Sequence, residues 1–124
     1  MRPEQAYDLM VPDAALDLIV RTDVGATAST DTVVHIRRDC DDPATEVGCV
    51  DDIRGMLAAH VELLDAAPGA YTIFVEPYSA PGMMAVPFNM EVALRPVLAM
   101  GATCDAMGVM NRCADGPCTG GTCP

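Results

Sequence analysis

Six cysteines are the residues of this sequence best equipped for chemistry. Cys40 and Cys49 flank the short loop 41–48, and closing it with a disulfide would remove unfolded-state entropy worth about 2–3 kcal/mol. A redox role for the pair needs a thiolate stabilised by positive charge or a helix N-terminus. The loop between them is acidic, so a structural bond is the expectation. Cys104, Cys113, Cys118 and Cys123 follow, separated by eight, four and four residues. Four cysteines pair in three ways, and sequence alone does not choose among them. Thiolates at these positions could instead hold zinc, but they lack the short knuckle spacing of structural zinc sites. Copper(I) is the other soft-metal option, because the chain has nine Met, among them Met83, Met84, Met107 and Met110. Gap-filling in a core poor in aromatic residues is the plainer use of those thioethers.

Carboxylates form the second cluster. Between Asp39 and Asp52 lie six of the chain's 18 acidic residues and no basic one. Asp39, Asp41, Asp42, Asp51 and Asp52 are the side chains that a calcium ion would draw on, with backbone carbonyls completing its oxygen shell, and Asp31 belongs to the same reading. The helix-loop-helix calcium spacing is absent. A solvated loop turning at Asp42-Pro43 is the alternative. The two histidines, His35 and His60, fall on outward positions and match neither a His-Glu-x-x-His pattern nor a nucleophile elbow. No enzyme is expected.

Short strands must position these groups. Leu16, Leu18 and Val20 share one face of a strand by their period of two. Thr32, Val34 and Ile36 repeat the pattern, with Val33, His35 and Arg37 turned outward. Val61 and Leu63 alternate as well, although helix formers in residues 54–65 compete there. Residues 69–78, opened by a Pro68-Gly69 turn, place Tyr71, Ile73 and Val75 inward and Phe74 and Tyr78 on the outer face. Phe88, Met90, Val92 and Leu94 complete the series, and residues 5–10 add a weak strand. This is the pattern of an all-β, antiparallel β-sandwich, with no βαβ rhythm. Strand alternation stops at Pro96. Residues 1–95 therefore read as a β-sandwich domain and residues 96–124 as a cysteine-rich tail too short to bury a core of its own.

The bulk properties narrow the partners. The chain has 124 residues, seven Arg, no Lys and a net charge of −11. Nucleic acid and anionic lipid surfaces, which want clustered positive charge, are excluded on that balance. There is no apolar run long enough for a membrane span, and the first residues lack the apolar segment of a signal peptide. The even, dense cysteine content nevertheless points to an oxidising, extracellular setting. A piece of a longer secreted or cell-surface chain reconciles the two.

The run Thr30-Asp31-Thr32-Val33-Val34-His35-Ile36-Arg37-Arg38-Asp39-Cys40, then Asp42-Pro43-Ala44-Thr45-Glu46-Val47-Gly48-Cys49-Val50-Asp51-Asp52, then Pro68-Gly69-Ala70-Tyr71-Thr72-Ile73-Phe74-Val75-Glu76, resembles the bacterial pre-peptidase C-terminal domain. The resemblance covers residues 16–95. The tail from Gly101-Ala102-Thr103-Cys104 to Cys118 resembles the short cysteine-rich segments that follow such domains. The resemblance implies a jelly-roll-like sandwich, non-catalytic, attached to secreted proteases or surface proteins and helping with targeting or substrate binding. Family members begin with further strands that are not evident upstream of Leu16, so a missing sheet edge is expected. The expected function is a secreted accessory module that binds polysaccharide, a matrix polymer or a neighbouring extracellular domain, with no cofactor unless calcium. Phe74 and Tyr78 are the expected carbohydrate or protein contact surface, although sugar stacking has few aromatics to draw on. The alternative is a metal-binding protein using the acidic loop 39–52 for calcium or the tail cysteines for zinc or copper.

Overall fold

Alternation with a period of two sends every second residue of a strand to one face, and a chain with several such strands buries those faces against each other. The computed structural model describes residues 4–25, 30–50, 58–77 and 87–124, apart from the side chains of residues 50 and 77. It contains β1 (Gln5–Val11), β2 (Leu16–Arg21), β3 (Thr32–Arg37), β4 (Glu46–Val50), β5 (His60–Leu63), β6 (Gly69–Pro77), β7 (Glu91–Leu98) and the short β8 (Arg112–Cys113). Two four-stranded sheets result, in the orders β1-β6-β3-β4 and β5-β2-β7-β8. Every pairing is antiparallel except that of β7 with β8. The chain changes sheet between most consecutive strands, as in jelly-roll-like sandwiches. No helix among the described residues is long and apolar enough to cross a membrane.

The core lies between the sheets. Val11, Leu18, Val20, Val34, Ile36, Val61, Tyr71, Ile73 and Val75 fill it, and Leu16, Leu63, Phe88, Met90 and Leu94 pack around them. Apart from Val11, which extends the weak first strand by one residue, those inward positions are the ones the alternation selects. Val92 is the exception: it lies opposite Val20 in register and yet stays exposed. Among the described residues β8 pairs with β7 only at Val97 and Leu98, so the first half of β7 has no described neighbour on that side.

Polar groups close the ends of the sandwich. The Thr22 and Thr32 hydroxyls share a buried hydrogen bond of 2.6 Å, and the Ala59 N–H donates to Thr22 Oγ1 at 2.9 Å. At the turn before β6 the Tyr71 hydroxyl donates to the Ala67 carbonyl at 2.6 Å, and Arg38, stacked over the Tyr71 ring, donates to the Ala67 and Pro68 carbonyls. Gly69 sits in that turn with φ of 119°, where an added Cβ would lie 2.9 Å from the Arg38 guanidinium. Only glycine fits there.

The change of character at Pro96 falls inside a strand. β7 continues to Leu98 and pairs with the tail strand β8, so the tail is joined to its sheet by main-chain hydrogen bonds.

Candidate functional site

Register sets the outer face of the second sheet. Asp17 lies opposite Arg95, Ile19 opposite Ala93 and Glu62, and Arg21 opposite Glu91 and His60. A solvated sandwich face would leave such residues wet. Asp17 instead is 0% exposed and Ile19 is buried, because the tail folds back over this face. Asp17 Oδ2 accepts from Arg95 Nε at 3.0 Å, Arg95 Nη2 at 2.8 Å and Arg112 Nε at 2.7 Å. Its Oδ1 accepts from Arg112 Nη2 and from the Asp65 N–H, each at 2.9 Å. Arg112 Nη2 also reaches Asp65 Oδ1 at 2.8 Å. One buried carboxylate thus holds β2, β7, β8 and the turn after β5 together. Burial pushes the Asp17 carboxyl up, and the bonds from Arg112, the Asp65 N–H and Arg95 outweigh it and hold it at about 2.

Disulfides shape the tail above this clamp. Cys104 bonds Cys118 and Cys113 bonds Cys123, which resolves the three possible pairings. All four tail sulfurs are engaged in these two disulfides. Asp105 organises the loop between: its carboxylate accepts the N–H groups of Met107, Val109 and Met110 at 2.9 to 3.0 Å. Those bonds, the one from Met110 foremost, hold the Asp105 carboxyl below its usual value. Arg95 Nη1 donates to the Gly108 carbonyl at 2.8 Å and ties the loop to the sheet.

A groove of about 380 Å³ lies between loop and sheet. Ile19 and Ala93 form its floor, Met107 and Val109 its wall, and Arg21, His60, Glu62 and Glu91 its polar flank. His60 stands 3.6 Å from Glu62 and 3.9 Å from Asp23, and Arg21 pairs with Asp23 at 2.7 Å. No Ser, Thr or Cys is among these lining residues. Sequence reasoning missed this site entirely. The signal available was Asp17 and Ile19, a charge and a large apolar residue on one outward face, which only a cover could accommodate.

The residues singled out in advance fall elsewhere. Phe74, expected as an exposed contact, is 8% exposed: the Arg37 guanidinium lies over its ring at 4.8 Å. Its expected companion Tyr78 lies outside the described residues, as do Asp51, Asp52, Met83 and Met84. Asp39, Asp41 and Asp42 are exposed, and two of them serve their own turn: Asp39 accepts the Asp41 N–H, and Asp42 accepts the Ala44 N–H at the start of a short 3-10 turn.

The expected Cys40–Cys49 disulfide is not formed. Cys49 lies opposite His35, whereas Cys40 lies beyond Arg37 in the turn. Two residues of strand, His35 to Arg37, already span about 7 Å, at the limit for bonded Cα atoms. Asp41 and then burial and Asp39 push the Cys40 thiol up, which keeps it protonated.

Comparison of the chain with protein-family models, with curated proteins and with solved structures finds no match. The pre-peptidase resemblance rests on the quoted residues alone.

Proposed function

We propose that the chain is a non-catalytic binding module of a secreted protein, and that its ligand lies in the groove between the outer face of β5-β2-β7 and the disulfide-tied tail loop. The observation that carries this reading is the loop 105–110, closed on itself by the Asp105 carboxylate and tied to the sheet at its middle by the bond from Arg95 to the Gly108 carbonyl, with Met107 82% exposed. Large apolar side chains held out on a rigid loop beside a groove fit a binding surface. Groups of both charges on an apolar floor suit a polypeptide segment, such as a neighbouring extracellular domain. Polysaccharide is the weaker occupant, because the described lining residues include no Phe, Tyr or Trp to stack on a sugar ring. Two disulfides within a 124-residue chain support an oxidising setting.

The test pairs a displayed random-peptide library with a glycan array, both read against Ala93→Arg, which fills the floor, and Met107→Glu, which alters the exposed wall. Peptide binding that both substitutions abolish supports the proposal. Glycan binding indifferent to both would place the function elsewhere.

A further inference from the structure

The outer face of the other sheet carries a second cluster, independent of the groove. His35 and Cys49 lie directly opposite each other on β3 and β4, so their Cβ atoms stand about 4.5–5.5 Å apart on one face. Glu46 is three residues from Cys49, and in a regular strand an odd separation sends two side chains to opposite faces. Here it does not. The register shifts between Ile36 and Arg37, pairing Ile36 with Gly48 but Arg37 with Glu46. The extra residue, Val47, is a β-bulge that turns Glu46 onto the face of His35 and Cys49. Glu46 Oε1 accordingly stands 2.9 Å from His35 Nδ1, and the nitrogen, oxygen and sulfur of the three side chains all lie within 4.8 Å of one another.

We infer that His35, Glu46 and Cys49 form a binding site for a zinc-class transition metal ion. Imidazole, carboxylate and thiolate are the three ligand types zinc takes, at about 2.0–2.3 Å each, so donors around one tetrahedral ion stand roughly 3.4–3.6 Å apart. Closing the observed spread to that distance takes a shift of about 1 Å in partly exposed side chains. Hard cations such as calcium are disfavoured by the sulfur and nitrogen. On binding, the Cys49 S–H releases its proton to solvent and the sulfur bonds the metal; Glu46 exchanges its contact with His35 for the ion, and His35, whose Nδ1–H donates to Glu46 in the free chain, gives up that hydrogen and binds through Nδ1 as a neutral ring with its one hydrogen on Nε2. No electron is transferred, and water takes the fourth position. One divalent ion with a thiolate and a carboxylate is neutral overall, so the guanidinium of Arg37, 3.9 Å from Glu46, faces no net positive charge. Arg37 Nε is buried and has no hydrogen-bond partner; it stands ready to hold the Glu46 carboxylate from behind, as outer-shell donors do.

The experiment uses the full chain carrying Cys40→Ser, with both tail disulfides verified by intact mass after alkylation without reductant, so that Cys49 supplies the thiol. Titration with Co2+ is expected to raise a thiolate-to-metal charge-transfer band that saturates at a single metal per chain, is displaced by zinc and is untouched by calcium. Cys49→Ser and His35→Ala each abolish the band, and Glu46→Gln weakens binding. Should His35→Ala disturb the sheet by circular dichroism, His35→Gln gives the same readout. A chain that raises no band, a band that survives Cys49→Ser or the His35 substitutions, or displacement of Co2+ by calcium overturns the inference.

Discussion

Asp17 joins more of this molecule than any other side chain described. A buried carboxylate that loses its charge strands two guanidinium groups, and breaking such a pair costs about 3–5 kcal/mol. Asp17→Asn is expected to lower stability by that order in denaturant unfolding, whereas Asp23→Asn, which removes the partly exposed Arg21 pair, costs about 1 kcal/mol or less. Acid acts on the same residue. With its carboxyl at about 2 in the folded chain against 3.8 ordinarily, Asp17 binds fewer protons folded than unfolded between those values. Its contribution is complete above pH ~4 and is lost as pH falls through about 2. Amide exchange at Ala114, whose N–H donates to the Leu98 carbonyl where the tail meets β7, should therefore quicken as pH falls below ~4, beyond the intrinsic change, and Asp17→Asn should remove that step. Cys40 offers a separate check. The protein should show two alkylatable thiols without reductant, and Asp41→Asn should speed the alkylation of Cys40 by removing the charge that opposes its thiolate.

Strands and turns follow their own rules. Alternation alone identifies β2, β3, β6 and β7 and most of their inward residues, because a strand's two faces are a local property of the backbone; Val92, expected inward, is exposed and Val33, expected outward, is buried. The bulge in β4 was not legible: nothing in Glu46-Val47-Gly48 says which residue the ladder will skip, and a one-residue change decides every side chain's face. Gly48 shows how tightly the choice is held. A Cβ there would stand 3.0 Å from Val61 Cγ1, across the core on β5. Gly48→Val is expected to cost about 1–3 kcal/mol by overpacking, read as a lower denaturant midpoint with an unchanged slope. A Gly48→Val chain as stable as the original would show that β4 does not rest on β5.

Across the whole molecule, sandwich and tail differ in what holds them. The core cluster contains no residue beyond Leu94. The tail depends on two disulfides, the Asp17 clamp and the short β7-β8 ladder. The loops closed by the disulfides, with separations of 14 and 10 residues, are worth about 3 kcal/mol each by chain entropy. Reduction should release the tail and expose the Ile19 face while the sandwich persists, so circular dichroism keeps its strand signal as amide protection disappears between Leu98 and Cys123. Loss of both together would show the tail to be part of the core. By itself the sequence determined the all-β class, the inward face of each main strand and the presence of a cysteine-stapled tail, since these follow from period, composition and chain length. Tertiary structure alone decided which cysteines bond, that Asp17 meets Arg112 across 95 residues, and that a groove opens where the tail returns to the sheet. Contacts between distant residues depend on where every intervening turn sends the chain, and no local pattern carries that information.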